Sequence, residues 1–190
     1  MYTPDDVRLL ERLGFQASVA VANARLHEEV RALSLTDPLT GLSNRRHLDL
    51  FLDKEVAAAR RGRKVAVLLF DLDRFKEYND CAGHEAGDEA LRAFANVLSS
   101  QTRAMNLAAR LGGDEFVSVL TDSDRRGAIA HALRIAQAVE AHPLLGPIGL
   151  RASIGIATFL GRMTSAADLI RAADVDMYRR KTGRARAIWA

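Results

Sequence analysis

Two pairs of carboxylates are the first residues in this 190-residue sequence whose types and spacing could do chemistry. Asp71 and Asp73 follow directly on the apolar run Val65-Ala66-Val67-Leu68-Leu69-Phe70. Alternate residues of an extended chain point the same way, so both carboxylates are expected to leave the end of that strand together. Acids also simply terminate strands, and this pair alone decides nothing. The second pair, Asp114-Glu115, sits at the tip of a hairpin in which Gly112-Gly113 separates Asn106–Leu111 from Phe116–Leu120. Two glycines leave space for a ligand to approach the backbone; the plainer reading is a tight turn followed by solvated acids. Hard carboxylate oxygens on neighbouring strands are what magnesium takes alongside a nucleotide's phosphates, and together the pairs favour a metal site.

The elements that must position these groups follow from patterning. Val65 to Phe70 has the continuous apolar character of a strand buried on both faces, the expected centre of a sheet. Before it, Ser43 is expected to cap a helix carrying Leu48, Leu52 and Val56, and Arg60 to Lys64 forms a basic turn around Gly62. After it come a polar segment from Asp71 to Asp88 and a helix with Leu91, Phe94 and Leu98 inward. Beyond the hairpin, a helix is expected over about 125–141, a strand near 151–159, a helix over about 165–180 and a final short strand at 186–189. Interleaved helices and strands predict an α/β domain with helices packed on a sheet.

The N-terminal stretch is different. Thr3-Pro4-Asp5-Asp6 reads as a helix start, with a hydroxyl N-cap, proline at the first helical position and acids at the positive end of the dipole. Leu10, Leu13, Ala17, Ala20 and Ala24 trace the three-and-four spacing of a helix–helix seam, between two copies of the chain or against its own domain. Ser34-Leu35-Thr36-Asp37-Pro38-Leu39-Thr40-Gly41 then breaks the helix, placing a boundary between 1–33 and a domain over 34–190.

Composition narrows the class. With 48% hydrophobic and 27% charged residues the chain is neither disordered nor fibrous. Its longest uncharged apolar run is six residues, against the roughly 20 that span a bilayer. Lysine and arginine exceed the acids by only 27 to 24, which does not call for a nucleic acid. A single cysteine, Cys81, excludes an intrachain disulfide, and no secretory pattern opens the chain. A reducing, cytoplasmic setting is expected.

Leu111-Gly112-Gly113-Asp114-Glu115-Phe116 matches the signature of the GGDEF family, the diguanylate cyclases, and the resemblance extends in order along the domain. Asp37-Pro38-Leu39-Thr40-Gly41-Leu42-Ser43-Asn44-Arg45-Arg46 resembles the family's opening, and Asp71-Leu72-Asp73-Arg74-Phe75-Lys76, Asn79-Asp80, Gly83-His84, Gly87-Asp88 and Ser153-Ile154-Gly155 its later blocks. It covers roughly 34–189. The resemblance implies a central mixed sheet wrapped by helices, like the palm of nucleotide cyclases and polymerases. It implies condensation of two GTP into cyclic di-GMP with release of two pyrophosphates, by a homodimer that brings two sites face to face.

By the same resemblance, Asp71, the carbonyl of Leu72, Asp114 and Glu115 hold two magnesium or manganese ions. Asp114 or the metal-bound solvent beside it accepts the 3′-hydroxyl proton, Lys76 and the N–H groups of Arg74, Phe75 and Lys76 meet phosphates, and Asn79 and Asp88 read guanine. His84 lines the nucleotide pocket. Lys181 and Arg184 occupy the place of a basic pair aimed at the terminal phosphates. The stretch Tyr178-Arg179-Arg180-Lys181-Thr182-Gly183-Arg184 is one residue shorter than the family's usual spacing, with Arg180 as the reserve candidate. Many members also carry an inhibitory Arg-x-x-Asp tetrad five residues before the signature; here it reads Arg103-Ala104-Met105-Asn106, which implies weak product feedback. The first 33 residues resemble the last helix of a GAF sensory domain, which would make the chain the output part of a longer sensor and the helix its dimer contact. The rival readings are a catalytically silent binding module of the same fold and a dimerisation and relay element.

Overall fold

The computed structural model describes residues 34–182 together with Arg12, Gln16, Ser18, Val19 and Val21, which are helical and exposed. The chain divides into two units, Met1–Ser34 and Leu35–Ala190. The expected N-terminal seam, the GAF-like helix, Arg184 and the last short strand lie outside the described residues.

In chain order the elements are α1 (Arg45–Ala59), β1 (Val65–Leu72), α2 (Phe75–Ala82), α3 (His84–Ser100), β2 (Leu107–Gly112), β3 (Glu115–Thr121), α4 (Arg125–Ala141), β4 (Ala152–Thr158) and α5 (Ala166–Lys181). The sheet runs β2-β3-β1-β4, and β1 is internal as its apolar run predicts. The α/β fold class holds, but the sheet expected to be mixed pairs antiparallel in every strand contact among the described residues. After the α2–α3 crossover β2 runs in the same sense as β1, and the hairpin then folds β3 back between them. The one parallel link is an isolated bridge between Ser43 and Ala109.

Strand alternation divides the core. Ala66, Leu68, Phe70 and Leu72 face α3 and α4, where Phe94 packs on Phe70 and Phe116 with ring centroids 6.0 and 4.8 Å apart. Val65, Val67 and Leu69 face α1 and α5, meeting Leu48, Leu52, Leu169 and Met177. Each fully buried Phe or Leu stabilises the fold by about 1.5–3 kcal/mol.

Helix starts are set by local hydrogen bonds. The α1 cap is Asn44, which accepts from the His47 N–H, and not Ser43, whose hydroxyl turns to His47 Nδ1. Asp124 caps α4, and a Ser165–Asp168 capping box opens α5. The expected polar segment after β1 is mostly helical: α2 occupies 75–82 and α3 begins at His84. Only Phe75 of α2 is buried, so no apolar stripe marks it in the sequence. Among the described residues no helix is long and apolar enough to cross a membrane.

Four polar or charged residues are buried among the described residues, Glu55, Ser118, Thr121 and His131, and the histidine is the one whose pKa burial shifts most. His131 on α4 is 2% exposed; its Nε2 meets the Ser118 hydroxyl and its Nδ1 the Arg134 guanidinium. Burial, then the Arg134 charge, pushes its pKa down to about 4. The unfolded chain takes up this proton near pH 6.5 and the folded one only near 4. Stability contributed by the neutral ring is therefore full above 6.5 and is lost as pH falls toward 4, by up to about 1.4 kcal/mol per unit. Urea unfolding at pH 7.5 and 5 should show this loss, and His131→Gln should reduce it; an equal loss in both proteins would remove His131 as its source.

Candidate active site

The antiparallel register places Asp71 directly opposite Glu115 at the end of β1 and β3. Asp114, in the two-residue turn, is bound to the same end by its carbonyl, which accepts from the Leu72 N–H at 3.3 Å. The Gly113 φ of +54° and the Gly112 φ of +143° explain the glycines at this turn. Crowding shows in the electrostatics. Desolvation, then the charges of Asp71, Asp114 and Asp174, raises the Glu115 pKa above its ordinary value, with Arg45 opposing. Asp174, on α5, is a member of this acidic group that the motifs did not reveal.

Asp73 does not join it. The strand ends at Leu72, and Arg74 takes a left-handed φ of +57° to start α2. Asp73 thus lies in the turn, accepting from the Ser153 hydroxyl at 2.6 Å while its N–H donates to the Arg151 carbonyl at 2.8 Å. The two carboxylates expected to leave the strand together part, one toward β4 and one toward α5.

Asp71 instead accepts from Lys181 Nζ at 2.6 Å. The contact depends on how closely α5 lies on β4: a Cβ on Gly155 would come within 2.0 Å of the Ala173 carbonyl and 2.7 Å of Met177 Cβ. Arg180, the reserve cation, is committed elsewhere. Its Nε donates at 2.9 Å to Asp176, which also accepts from the Ile156 N–H. Burial opposes the charge of Asp176, but these bonds and the Arg180 and Arg125 charges hold its carboxyl below the usual range.

On α2 and α3 the remaining candidates assemble around one close approach. Asn79 Oδ1 is buried without a hydrogen-bond partner, and a Cβ on Gly87 would fall 1.7 Å from it. An orphaned amide oxygen beside a space that only glycine leaves open suits an acceptor waiting for a ligand's donor. Asp88 follows Gly87 and lies 3.9 Å from Arg92, both half exposed. His84 is exposed as the first residue of α3. Lys76 is exposed in the first turn of α2, and no side chain caps the helix's leading amides. At the far end of the hairpin, Asn106 Oδ1 accepts from the Thr121 N–H at 3.0 Å, beside a cavity of about 180 Å³ that Arg103 and Arg134 also line.

The hairpin has a brace that the sequence reading missed. Arg110 donates through Nε and Nη2 to the Gly113 carbonyl at 3.0 and 2.7 Å, and through Nη1 to Asp37 at 3.1 Å. Burial works against the Asp37 charge, but the Thr40 hydroxyl and N–H and the Arg110 guanidinium outweigh it and hold its pKa below the ordinary value. Asp37 stood inside a recognised block and Arg110 in the strand just before the signature, yet only the fold joins positions 73 residues apart.

The acidic group suits a divalent cation, since it concentrates charge that already raises Glu115 and draws a lysine onto Asp71. No group of three or more His, Cys, Asp or Glu side chains stands in metal-holding geometry among the described residues. A cation here would take carboxylates in pairs and complete its shell with carbonyl, water and phosphate oxygens, as magnesium commonly does.

Known proteins resemble this chain in sequence and in fold. Response regulator PleD of Caulobacter vibrioides is 39% identical over 166 residues, 82% of this chain and 36% of PleD. Probable diguanylate cyclase DgcC of Escherichia coli is 31% identical over 178 residues, 92% of this chain and 47% of DgcC. The chain thus spans between a third and a half of these relatives. Among solved structures, the coiled coil and GGDEF domain of DgcB from Caulobacter crescentus, in complex with c-di-GMP, superposes with a TM-score of 0.73 at 29% identity, covering 92% of this chain and 95% of that one. A family model described as diguanylate cyclase, GGDEF domain, matches residues 34–186, and the chain belongs to that family.

Proposed function

We propose that the chain condenses two molecules of GTP into cyclic di-GMP and two pyrophosphates, as the output part of a longer signalling protein. The observation that carries this reading is the convergence of Asp71, Asp114, Glu115 and Lys181 on one end of β1 and β3, together with the unpartnered amide oxygen of Asn79 on α2, the helix that follows β1. Bound between Asp71, Asp114, Glu115 and the Leu72 carbonyl, magnesium or manganese ions would neutralise charge building on the triphosphate.

The chain's own residues supply the rest. The Asn79 amide and the Asp88 carboxylate hold guanine, the carboxylate accepting from N1–H and the exocyclic amine, a donor pair that adenine lacks. Lys76 and the leading amides of α2 meet the phosphates. Lys181 exchanges Asp71 for the terminal phosphates, a role the family resemblance also gives to Arg184. Asp114 takes the proton from the 3′-hydroxyl, whose oxygen bonds to the α-phosphorus of the second GTP as the bond to the β-phosphate oxygen breaks and pyrophosphate leaves. Each chain holds one GTP, so closing the ring needs two copies face to face, paired through the N-terminal helix. The coiled coil in the DgcB structure supports that pairing. The exposed thiol of Cys81 is in keeping with a reducing cytoplasm.

Incubation with GTP and magnesium, followed by chromatography, should yield cyclic di-GMP. Asp114→Asn keeps the shape and removes the charge, and should lower the rate by about a thousandfold or more. Retention of a tenth of the rate would overturn the role of Asp114. Gly87→Ala drives a methyl into the Asn79 amide and should raise KM for GTP by about tenfold with a smaller effect on kcat. An unchanged KM would remove Asn79 from guanine recognition.

Product feedback should be weak. With the Asn106 oxygen engaged by Thr121, the amide NH2 is what remains for a ligand, where a carboxylate would accept from guanine. Losing such a charge-assisted contact costs roughly one to two decades of affinity. Initial rates with added cyclic di-GMP should show stronger inhibition for Asn106→Asp than for the unmodified protein. Submicromolar inhibition unchanged by that substitution would contradict the reading.

A further inference from the structure

Two cations stand side by side at the end of α5, and the fold uses them differently. Lys181 reaches Asp71, whereas Arg180 turns to Asp176, which accepts from its Nε at 2.9 Å and its Nη2 at 3.4 Å. The same carboxylate accepts from the Ile156 N–H at 2.9 Å. Arg125, the first residue of α4, closes the group by donating to the Ile156 carbonyl at 3.2 Å and lying 3.5 Å from Asp176. β4 is the last strand in the sheet order. Both main-chain groups of Ile156 are therefore met by side chains that also pair with each other.

The rest of the contact between α5 and β4 is apolar and small. A Cβ on Gly155 would strike the Ala173 carbonyl and Met177 Cβ, so this contact sets how near the helix comes. Apolar contact is not directional, and it leaves the helix free to turn on its axis. A side-chain tip stands roughly 5–6 Å from a helix axis, so a turn of about 20° carries it about 2 Å, enough to break a hydrogen bond. The bond from the Ile156 N–H to the Asp176 carboxylate removes that freedom, because it is directional and charge-assisted. The Arg180 and Asp176 side chains are only 16% and 21% exposed, so their pairing is shielded in a way that surface pairs four residues apart are not. Lys181 follows Asp176 on the same helix by about 7.5 Å of axial rise. What fixes the helix at Asp176 thus fixes the direction from which Lys181 approaches Asp71.

On the reading that Lys181 moves onto the terminal phosphates of GTP, we propose that Asp176 is a positioning residue for that lysine, with Arg180 as its strut and not a phosphate ligand. Binding of GTP and of GMP is measured by calorimetry on the full chain in buffer free of divalent cations, alongside the thermal melt. Lys181→Met sets the reference: it should bind GTP about tenfold more weakly and GMP, which lacks the terminal phosphates, unchanged. Asp176→Asn keeps the size and an acceptor for the Ile156 N–H but loses the charge that holds Arg180. It should weaken GTP binding by about three- to tenfold, leave GMP unchanged and add nothing in a Lys181→Met background, because residues acting through one contact do not add. Arg180→Met should follow the same pattern, and it carries the test should Asp176→Asn not fold. Undiminished GTP binding in these variants, equal losses for GTP and GMP, or a further loss when Arg180→Met is combined with Lys181→Met would each overturn the proposal. If Lys181→Met alone binds GTP as the unmodified protein does, the phosphate role of Lys181 falls, and the positioning role with it.

Discussion

A two-residue turn of Gly113 and Asp114 brings almost no side-chain packing of its own, and the guanidinium of Arg110 supplies the missing constraint. Two of its nitrogens converge on the Gly113 carbonyl and a third reaches Asp37, in the first turn of the domain. A planar donor fork can serve a carbonyl and a carboxylate at once, where a lysine ammonium could not hold both directions. With side chains only 11% and 18% exposed, the pair is shielded from solvent, and either partner alone would leave a charge poorly solvated. Asp37 is tied in turn by Thr40, and the Ser43 main chain bonds β2 on both sides, to the Ala108 carbonyl and the Arg110 N–H. The turn that bears Asp114 is thus fixed to the strap that opens the domain.

The other half of the site depends on a close approach of a different kind. β1 is buried on both faces, so Asp71, next in the alternation after Val65, Val67 and Leu69, emerges toward α5. Lys181 reaches it because Gly155 lets α5 settle on β4, and Asp176 fastens the helix by accepting from Ile156 and Arg180. The sheet carries acids on neighbouring strands at one end, and the helix brings a cation over them. That balance of charge is what a metal and a triphosphate would replace.

Much of this was legible from residue types. The apolar run located the central strand and the glycine pair the hairpin, and the helices expected over about 125–141 and 165–180 end in Ala141 and Lys181. Family blocks named Asp71, Asp114, Glu115, Asn79 and Lys181, and the fold brings Asp71, Asp114, Glu115 and Lys181 to one end. What escaped has physical reasons. α2 buries a single residue and so shows no amphipathic period. Asp73 parts from Asp71 because a left-handed Arg74 ends the strand sooner than alternation assumes. The Asn44 cap won over Ser43 because the adjacent hydroxyl found His47. The Arg110–Asp37 brace and the approach of Asp174 to Glu115 are products of topology, with no local signal to announce them.

The brace is tested most directly by comparing kcat, KM for GTP and the thermal melt of Arg110→Met with those of the unmodified protein. The substitution keeps much of the side chain's length and apolar contact while removing every donor to Gly113 and Asp37. A fall in kcat of about ten- to a hundredfold is expected, as for other misplaced catalytic groups, with KM little changed because Asn79 and Asp88 stand on separate helices. An unchanged kcat in a folded Arg110→Met protein would contradict the claim that this guanidinium sets the position of Asp114.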